Sequence, residues 1–319
     1  MFQQQRYPLL TIDLGKIRDN TKYAISPATD LEVFGVTKGC AGAGPVAQAM
    51  IDGGVAGLAD SRLLSLQNLR KCFPDLQLLS LRQPMIGEMR EIVDLGANMM
   101  ISDPAILPKL TTICDRLGRR QKVLVMIEVG DDREGLAPKD FLALAANIKK
   151  WPALDFVGIA ANVGCCGSQT TSLSAIEILC DLANKSRSMG VNLDIVSAGN
   201  SSCWKLLKAG SIPRSANQLR LGELLLLGNE TETNKPAVGF HQNACLLEAE
   251  VLEASVKQGE QQLIVAAGCQ DIGRGSLKPL NKKMQLTRTT SDHAVLKSET
   301  NLNLNIGDVV TLIPSYFAL

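Results

Sequence analysis

The sequence predicts an α/β fold in which a (β/α)8 barrel of the TIM type precedes a small C-terminal β domain. Short apolar runs of β character alternate with amphipathic helical stretches through most of the chain. From about residue 240 onward, strand-like segments follow one another without helices between them. We therefore divide the chain into a barrel over 1–228 and a β domain over 229–319.

The apolar runs define the predicted barrel strands. Eight such runs occur, and nearly every one ends in a polar, glycine-bearing or basic segment. They are Val33–Lys38, Val55–Ser61, Leu76–Leu81, Ala97–Ser102, Lys122–Val129, Leu154–Asn162, Asn192–Gly199 and Gln218–Gly228. Parallel strands covered on both faces have this continuous apolar character. A closed barrel fits better than the alternative, a doubly wound open sheet, because no Gly-x-Gly-x-x-Gly follows the first run.

The β domain is predicted from segments of strand character after Phe240. These segments are 244–253, 262–267, 284–290 and 307–313. The polar stretch 230–236 reads as the connection between the two regions.

Composition excludes several classes of protein. The chain has 319 residues, of which 45% are apolar and 20% are charged, as expected for a globular protein with a real core. Its 33 basic and 32 acidic side chains leave a net charge of +1, so a nucleic-acid partner is not expected. Only two histidines, His241 and His293, are present, which argues against a multi-histidine metal centre and a Ser/His/Asp triad.

The cysteines and the N-terminus indicate a cytoplasmic protein. The nine cysteines are scattered and form no Cys-x-x-Cys pair, so neither a structural zinc site nor a disulfide framework is predicted. Reduced thiols are typical of the cytoplasm. Residues 1–13 lack the layout of a signal peptide, no early apolar run is long enough to span a bilayer, and no membrane partner is expected.

Lys38 is the first candidate catalytic residue. It ends the first apolar run, in GlyValThrLysGlyCys, and the active site of a barrel lies at the carboxyl ends of its strands. Partial burial would lower the pKa of its amine and make it nucleophilic, which suits Schiff-base chemistry. A solvated lysine at a strand end remains the alternative.

Two further segments complete a candidate site. SerAlaGlyAsnSerSerCysTrp at 197–204 follows the seventh run, where Asn200, Ser201 and Ser202 can form an anion cradle or simply cap a helix. Arg220 stands in the apolar eighth run and needs a partner for its guanidinium. A lysine, an anion cradle and an arginine together describe a pyridoxal 5'-phosphate pocket, in which they would hold the aldehyde, the phosphate and the ring nitrogen.

Several motifs resemble the alanine racemase-like, fold-type III pyridoxal phosphate enzymes, and within them the ornithine racemase-like branch. The resemblance spans almost the whole chain and is strongest in the barrel. The motifs lie at 7–20, 35–39, 58–62, 129–135, 162–167, 198–202, 217–231, 268–272 and 291–293.

The resemblance implies a role for each residue of the pocket. Lys38 would form the Schiff base with the cofactor and act as one proton-transfer base. Ser201, Gly222 and the backbone of Glu223 would hold the phosphate. Arg220 would face the pyridine nitrogen and keep it unprotonated.

The resemblance also implies a substrate site and an assembly. Arg133 matches an arginine that orients the substrate carboxylate, and Asn162 falls in the neighbouring motif AsnValGlyCysCysGly. The enzyme would be a homodimer in which the β domain of the partner closes each active site. The strand at about Leu9–Asp13 would pack with the β domain.

Racemisation needs a second base on the opposite face of Cα. Alanine racemases use a tyrosine in a Gly-Tyr-x-Asp-Gly pattern, and the matching stretch here is GlyCysGlnAspIleGlyArg. Cys269 therefore stands at the place of the tyrosine, and Asp271 is the alternative. Family members also continue past the last strand with a tyrosine that reaches the phosphate; here Tyr316 either substitutes for it or the contact is absent.

The substrate and the reaction have competing interpretations. Asp131, Asp132 and Glu134 offer a cation site for an ornithine-like or lysine-like side chain, or form a solvated loop, in which case alanine or serine is possible. The leading hypothesis is an amino-acid racemase. The alternatives are a decarboxylase or aldolase on the same scaffold, or a non-catalytic pyridoxal phosphate carrier.

Overall fold

The architecture comes from a computed structural model that describes residues 6–130, 132–163, 172–231 and 235–319. The chain divides into two compact units. One unit is 17–240, and the other joins 1–16 to 241–319. The division after residue 240 lies downstream of the boundary at 228 that the sequence indicated, and the N-terminal segment belongs to the second unit.

The first unit contains a closed barrel of eight parallel strands. Strand β1 (Leu9–Ile12) and helix α1 (Leu14–Ile25) precede it. The barrel strands are β2 (Glu32–Val36), β3 (Gly57–Asp60), β4 (Gln77–Ser80), β5 (Asn98–Ile101), β6 (Gln121–Met126), β7 (Leu154–Ala160), β8 (Ile195–Ser197) and β9 (Gln218–Leu221). Each strand pairs in parallel with the next, and β9 pairs with β2. The predicted barrel is confirmed, and the open sheet is wrong.

Helices cover the outside of the barrel between successive strands. Their bounds are α2 (Gly44–Asp52), α3 (Leu63–Cys72), α4 (Met89–Leu95), α5 (Leu107–Leu117), α6 (Pro138–Ala145), α7 (Ser172–Ser188), α8 (Trp204–Lys208) and α9 (Glu223–Leu227). Helix α5 shows why they dock: Leu107, Leu110 and Cys114 recur at helical spacing and are all buried. Two short strands, β10 (Asn229–Glu230) and β11 (Lys235–Pro236), pair after α9.

All eight predicted runs extend past the carboxyl ends of their strands, and two of these overruns bear on the site. The run Gln218–Gly228 is a strand only to Leu221, and its leucines then form helix α9, since an apolar run alone does not distinguish a strand from a buried helix. The first run ends at Val36, so Lys38 begins a short 3-10 turn, Lys38–Cys40, instead of closing the strand.

The barrel interior is a packed apolar core. Inward-facing side chains from most of the strands meet there, so the barrel is filled and is not a pore. The buried members of this cluster are Phe34, Val36, Ala59, Leu79, Met100, Leu124, Met126 and Ala160. Because the interior is filled with apolar side chains, the polar groups available for binding or catalysis lie at the strand ends.

The second unit is a mostly antiparallel β structure. Its strands are β12 (Cys245–Lys257), β13 (Glu260–Val265), β14 (Leu277–Pro279), β15 (Met284–Thr289), β16 (Ala294–Ser298) and β17 (Val309–Pro314), with one short helix, α10 (Cys269–Ile272). The strand order is β14-β17-β12-β13-β16-β15, and β1 pairs with β12. Alternate residues of β12, including Leu247, Ala249 and Val251, are buried in its core. The sequence interpretation missed β14, β16 and α10, which are short.

Neither a membrane-spanning helix nor a metal-binding cluster of side chains is found in the described ranges. None of the helices within those ranges has both the length and the apolar character to cross a bilayer. In the same ranges, His, Cys, Asp and Glu side chains do not gather in groups of three or more that could hold a metal ion.

The turn after Lys38 provides a test of how tightly that loop packs. Gly42 has φ +67°, and a Cβ there would lie 2.8 Å from Ser65 Cβ and 2.9 Å from the Ser65 carbonyl oxygen, on helix α3. Gly96 has nearly the same φ, +66°, with open space around it. Left-handed strain alone costs about 1 kcal/mol for alanine, and overpacking adds about 1–3 kcal/mol.

We therefore expect Gly42→Ala to lower the free energy of unfolding by about 2–4 kcal/mol and the matched control Gly96→Ala by about 1 kcal/mol. Urea unfolding followed by circular dichroism measures both. Equal losses in the two variants would show that the loop does not press on α3.

Candidate active site

Lys38 stands at the carboxyl end of β2, at the mouth of the barrel. Its side chain is exposed, while Thr37 before it and Gly39 after it are buried. The 3-10 turn that begins at Lys38 is tied back by Cys40 N–H, which donates to the Thr37 carbonyl over 2.9 Å. An exposed amine on a fixed backbone is accessible to a ligand at the barrel mouth.

Arg220 lies on β9 and is almost completely buried, with 3% of its surface exposed. Its Nη1 donates to the Ser197 carbonyl over 3.0 Å and to the Ser197 hydroxyl over 2.5 Å. Its Nη2 donates to the Ala161 carbonyl over 2.7 Å. The guanidinium thus reaches from β9 to the carboxyl ends of β7 and β8, where carbonyl oxygens compensate part of its desolvation.

Ser201 forms the centre of a set of hydrogen-bond donors. Its buried Oγ accepts from the N–H of Gly222 over 3.2 Å and from the N–H of Leu224 over 3.3 Å. Two backbone amides and one hydroxyl therefore converge where the loop after β8 meets the start of α9. Such a set matches the oxygens of a phosphate, because an anionic oxygen accepts hydrogen bonds from converging amide and hydroxyl donors.

Asn200 and Ser202 support this loop from behind. The Asn200 side chain accepts from Ser202 N–H over 2.8 Å and donates to the Val163 carbonyl over 3.1 Å. The Ser202 hydroxyl donates to the same carbonyl over 2.6 Å. Both side chains bind the segment after β7. Asn200 also caps the short 3-10 turn that begins at Ser201, as the helix-capping alternative predicted.

Glu223 begins α9 and connects the cradle to Lys38. Burial raises the pKa of its carboxyl group, while a hydrogen bond from the Thr231 hydroxyl and the positive charge of Lys38 act in the opposite direction. The positive charge of Lys38 therefore acts on the Glu223 carboxyl group at the barrel mouth. The sequence interpretation assigned only the backbone of Glu223.

Arg133 and Asn162 are brought together by a third side chain, Glu134. Arg133 Nε and Nη2 donate to the Glu134 carboxylate over 3.0 and 2.9 Å, and Asn162 Nδ2 donates to it over 3.0 Å. The loop is shaped by the carboxylate of Glu128, which accepts the N–H of Arg133 over 3.2 Å. Asp131 lies outside the described residues, as do the last positions of the motif at 162–167.

Cys269 and Asp271 lie in the second unit, on α10. Cys269 is exposed. The Asp271 carboxylate accepts the N–H of Gly268 over 2.8 Å and so caps its own helix. Tyr316 begins the 3-10 turn Tyr316–Ala318 of the same unit.

The sequence interpretation missed one buried polar pair beside Lys38. The Thr37 hydroxyl donates to the Asp60 carboxylate over 2.7 Å, and both residues are fully buried. The signal was present, since Asp60 ends an apolar run in LeuAlaAspSerArg. Nearby, burial and, to a smaller extent, the charge of Asp60 raise the pKa of the Cys40 thiol to about 11, so Cys40 is not a thiolate nucleophile at neutral pH.

Comparison with known proteins agrees with this architecture. The family model of the alanine racemase N-terminal domain matches residues 12–230. A lysine racemase of Thermotoga maritima is 32% identical over 98% of this chain and 95% of its own. An ornithine racemase of Acetoanaerobium sticklandii is 28% identical over 98% of this chain and 96% of its own.

Solved structures share the fold at lower identity. The D-threonine aldolase of Filomicrobium marinum superposes with a TM-score of 0.83 at 18% identity, covering 98% of this chain and 88% of the aldolase. The alanine racemase of Clostridium difficile 630 superposes with a TM-score of 0.75 at 18% identity, covering 97% of this chain and 87% of the racemase. The family match and the near full-length racemase relatives, taken with the barrel and its strand-end residues, place the chain in the alanine racemase N-terminal domain family, as an amino-acid racemase.

Proposed function

We propose that this protein is a pyridoxal 5'-phosphate-dependent racemase that interconverts the L- and D-forms of a basic amino acid. The observation that carries the proposal is the convergence of Lys38, Arg220 and the Ser201 cradle at the carboxyl ends of the strands of one barrel. The names of the lysine and ornithine racemases, similar over nearly the full length, support the substrate class. The alternatives, a carrier, a decarboxylase or an aldolase, are less well supported, because the D-threonine aldolase shares only the fold, at 18% identity.

The residues present fit the cofactor. The hydroxyl of Ser201 and the amides of Gly222 and Leu224 would hold the phosphate, and Lys38 would attach the cofactor covalently through its amine, with loss of one water. Asn200 and Ser202 would keep the cradle loop in place. When bound, the cofactor supplies the electron sink that makes the Cα proton removable.

Arg220 would control the electronics at the ring nitrogen. A guanidinium stays protonated and has only donors, so it cannot pass a proton to that nitrogen as a carboxylic acid would. Its hydrogen bonds to Ser197 and Ala161 hold it in one orientation. With its ring nitrogen unprotonated, the bound cofactor would be a weaker electron sink, which would favour racemisation over side reactions.

The protein's own groups would move one proton off Cα and one back onto it. Lys38 would serve one face. For the other face we propose Cys269, with Asp271 as the second candidate, because the Asp271 carboxylate is already engaged with Gly268 N–H while Cys269 is exposed. By analogy with the family, the residue would come from the β unit of a second copy, so we also propose a homodimer.

The loop after β6 would bind the substrate. Arg133 would take the α-carboxylate, with Glu134 holding both Arg133 and Asn162 in place. Asp132 is exposed on the same loop and would attract the side-chain ammonium of ornithine or lysine.

We also propose a cytoplasmic location. The cysteines of the described residues are free thiols, which are typical of the cytoplasm.

The attachment site of the cofactor can be tested directly. Protein loaded with pyridoxal phosphate is expected to be yellow, and borohydride is expected to fix a pyridoxyl group on Lys38, identified by peptide mass spectrometry. Lys38→Ala should carry no adduct, whereas the control Lys22→Ala should carry it in full. An adduct at another lysine would overturn the mechanism.

The phosphate cradle predicts a phosphate-specific loss of affinity. Ser201→Ala removes a hydrogen bond to a charged group, so the Kd for pyridoxal phosphate should rise about ten- to a hundredfold. Affinity for pyridoxal, which has no phosphate, should stay unchanged. Fluorescence titration with both ligands measures the ratio.

The control for this experiment is Ser186→Ala, which removes another fully buried serine hydroxyl, bonded to the Leu182 carbonyl within α7. It should leave the ratio of the two affinities unchanged. Equal weakening of both ligands by Ser201→Ala would remove Ser201 from the phosphate site.

The substrate class is tested by racemisation and Cα–deuterium exchange in heavy water. We expect inversion of ornithine or lysine to proceed with higher kcat/KM than that of alanine or serine. Asp132→Asn should lower kcat/KM for the basic substrates about two- to fivefold, since an exposed ion pair contributes little more. The values for alanine should not change.

A matched control is Asp140→Asn, which removes an exposed carboxylate from the first turn of α6. It should leave every substrate unaffected. Exchange with no amino acid at all would favour a carrier and contradict the proposed function.

A further inference from the structure

Asp60 is a fully buried carboxylate next to the lysine loop. It ends β3, and Thr37, also fully buried, directly follows the neighbouring strand β2. The Thr37 hydroxyl donates to Asp60 Oδ2 over 2.7 Å, and Arg62 N–H donates to Asp60 Oδ1 over 2.9 Å. One carboxylate therefore joins the residue before Lys38 to the residue that caps α3.

The partners of Asp60 are chemically unusual for a buried acid. Among the described residues its contacts are a neutral hydroxyl and a backbone N–H, and no ion pair joins it to a cation. A fully buried carboxylate held only by neutral donors is costly to the fold. The charge of Asp60 contributes to the raised pKa of the Cys40 thiol in the same loop.

Thr37 is fixed through all of its polar groups. Its N–H donates to the Ala59 carbonyl over 2.9 Å, and its carbonyl accepts from Cys40 N–H over 2.9 Å and Gly42 N–H over 3.3 Å. The hydroxyl donates to Asp60 over 2.7 Å and also lies 3.4 Å from the Ala59 carbonyl oxygen. The backbone that carries the Lys38 side chain is therefore held in place, although the side chain itself is exposed.

We propose that Asp60, acting through the Thr37 hydroxyl, is a positioning residue that aims Lys38 at the cofactor. The inference rests on the proposed function and deepens it, because it concerns how the attachment lysine is held. Positioning of a nucleophile acts on rate through orientation, so losing it slows attachment even where the fold persists.

The test follows attachment of pyridoxal phosphate to cofactor-free protein by stopped-flow absorbance, without any amino-acid substrate. Thr37→Val keeps the shape and removes the hydroxyl; it should slow attachment about tenfold. Thr37→Ser restores the hydroxyl and should recover the wild-type rate. Asp60→Ala removes the acceptor and should also slow attachment. The double variant Thr37→Val/Asp60→Ala should be no slower than the slower single variant, since both substitutions remove the same Thr37–Asp60 hydrogen bond.

Thr21→Val is the matched control. Thr21 is also fully buried, and its hydroxyl donates to the Ile17 carbonyl within α1. We expect Thr37→Val and Thr21→Val to lower the melting temperature comparably, with slow attachment only in the former. Slowing by both, or failure of Thr37→Ser to recover the rate, would make the pair a purely structural one.

The outcomes separate this inference from the proposed function. If wild-type protein forms no adduct at Lys38, the proposed function fails. If wild-type protein forms the adduct and Thr37→Val forms it at the same rate, only the positioning role of Asp60 fails.

Discussion

Closure of the barrel by the pairing of β9 with β2 is the constraint on which the site depends. Phe34 on β2 lies opposite Arg220 on β9, in parallel register. Because the two strands run in the same direction, their carboxyl ends emerge side by side. Lys38 and Glu223, which are far apart in sequence, follow those two ends and therefore influence each other electrostatically. In a doubly wound open sheet the first strand is central and the last lies at an edge, so these two strands would not pair.

The buried charges near the barrel mouth show how the fold accommodates polar groups. Arg220 lies among carbonyl oxygens that the ends of β7 and β8 present, so its donors are satisfied without a carboxylate being required from these strands. Asp60 is held in the complementary way, by a hydroxyl and an amide. Each charged group is surrounded by dipoles of the strand ends. These dipoles are already oriented, whereas water dipoles would have to reorient around the charge.

The sequence indicated the barrel because its strands are buried on both faces and its helices are amphipathic. It misassigned the end of the eighth run, where GluLeuLeuLeuLeu continues the apolar character of β9 although the backbone has become helical. Burial on all sides removes the periodicity that separates strand from helix. Short elements such as β16 and α10 carry too few residues for a pattern to appear.

The sequence by itself determined the alternation of strands and helices, the order of the two regions, and the residue types available for chemistry: a lysine, an arginine and a serine-rich loop at strand ends. Only the tertiary structure decided which groups meet. The Ser201 hydroxyl faces the amides of Gly222 and Leu224, and Thr37 faces Asp60, because parallel register and barrel closure set distances that no local pattern contains. Local sequence specifies where a strand ends; packing of all eight strands specifies what its end touches.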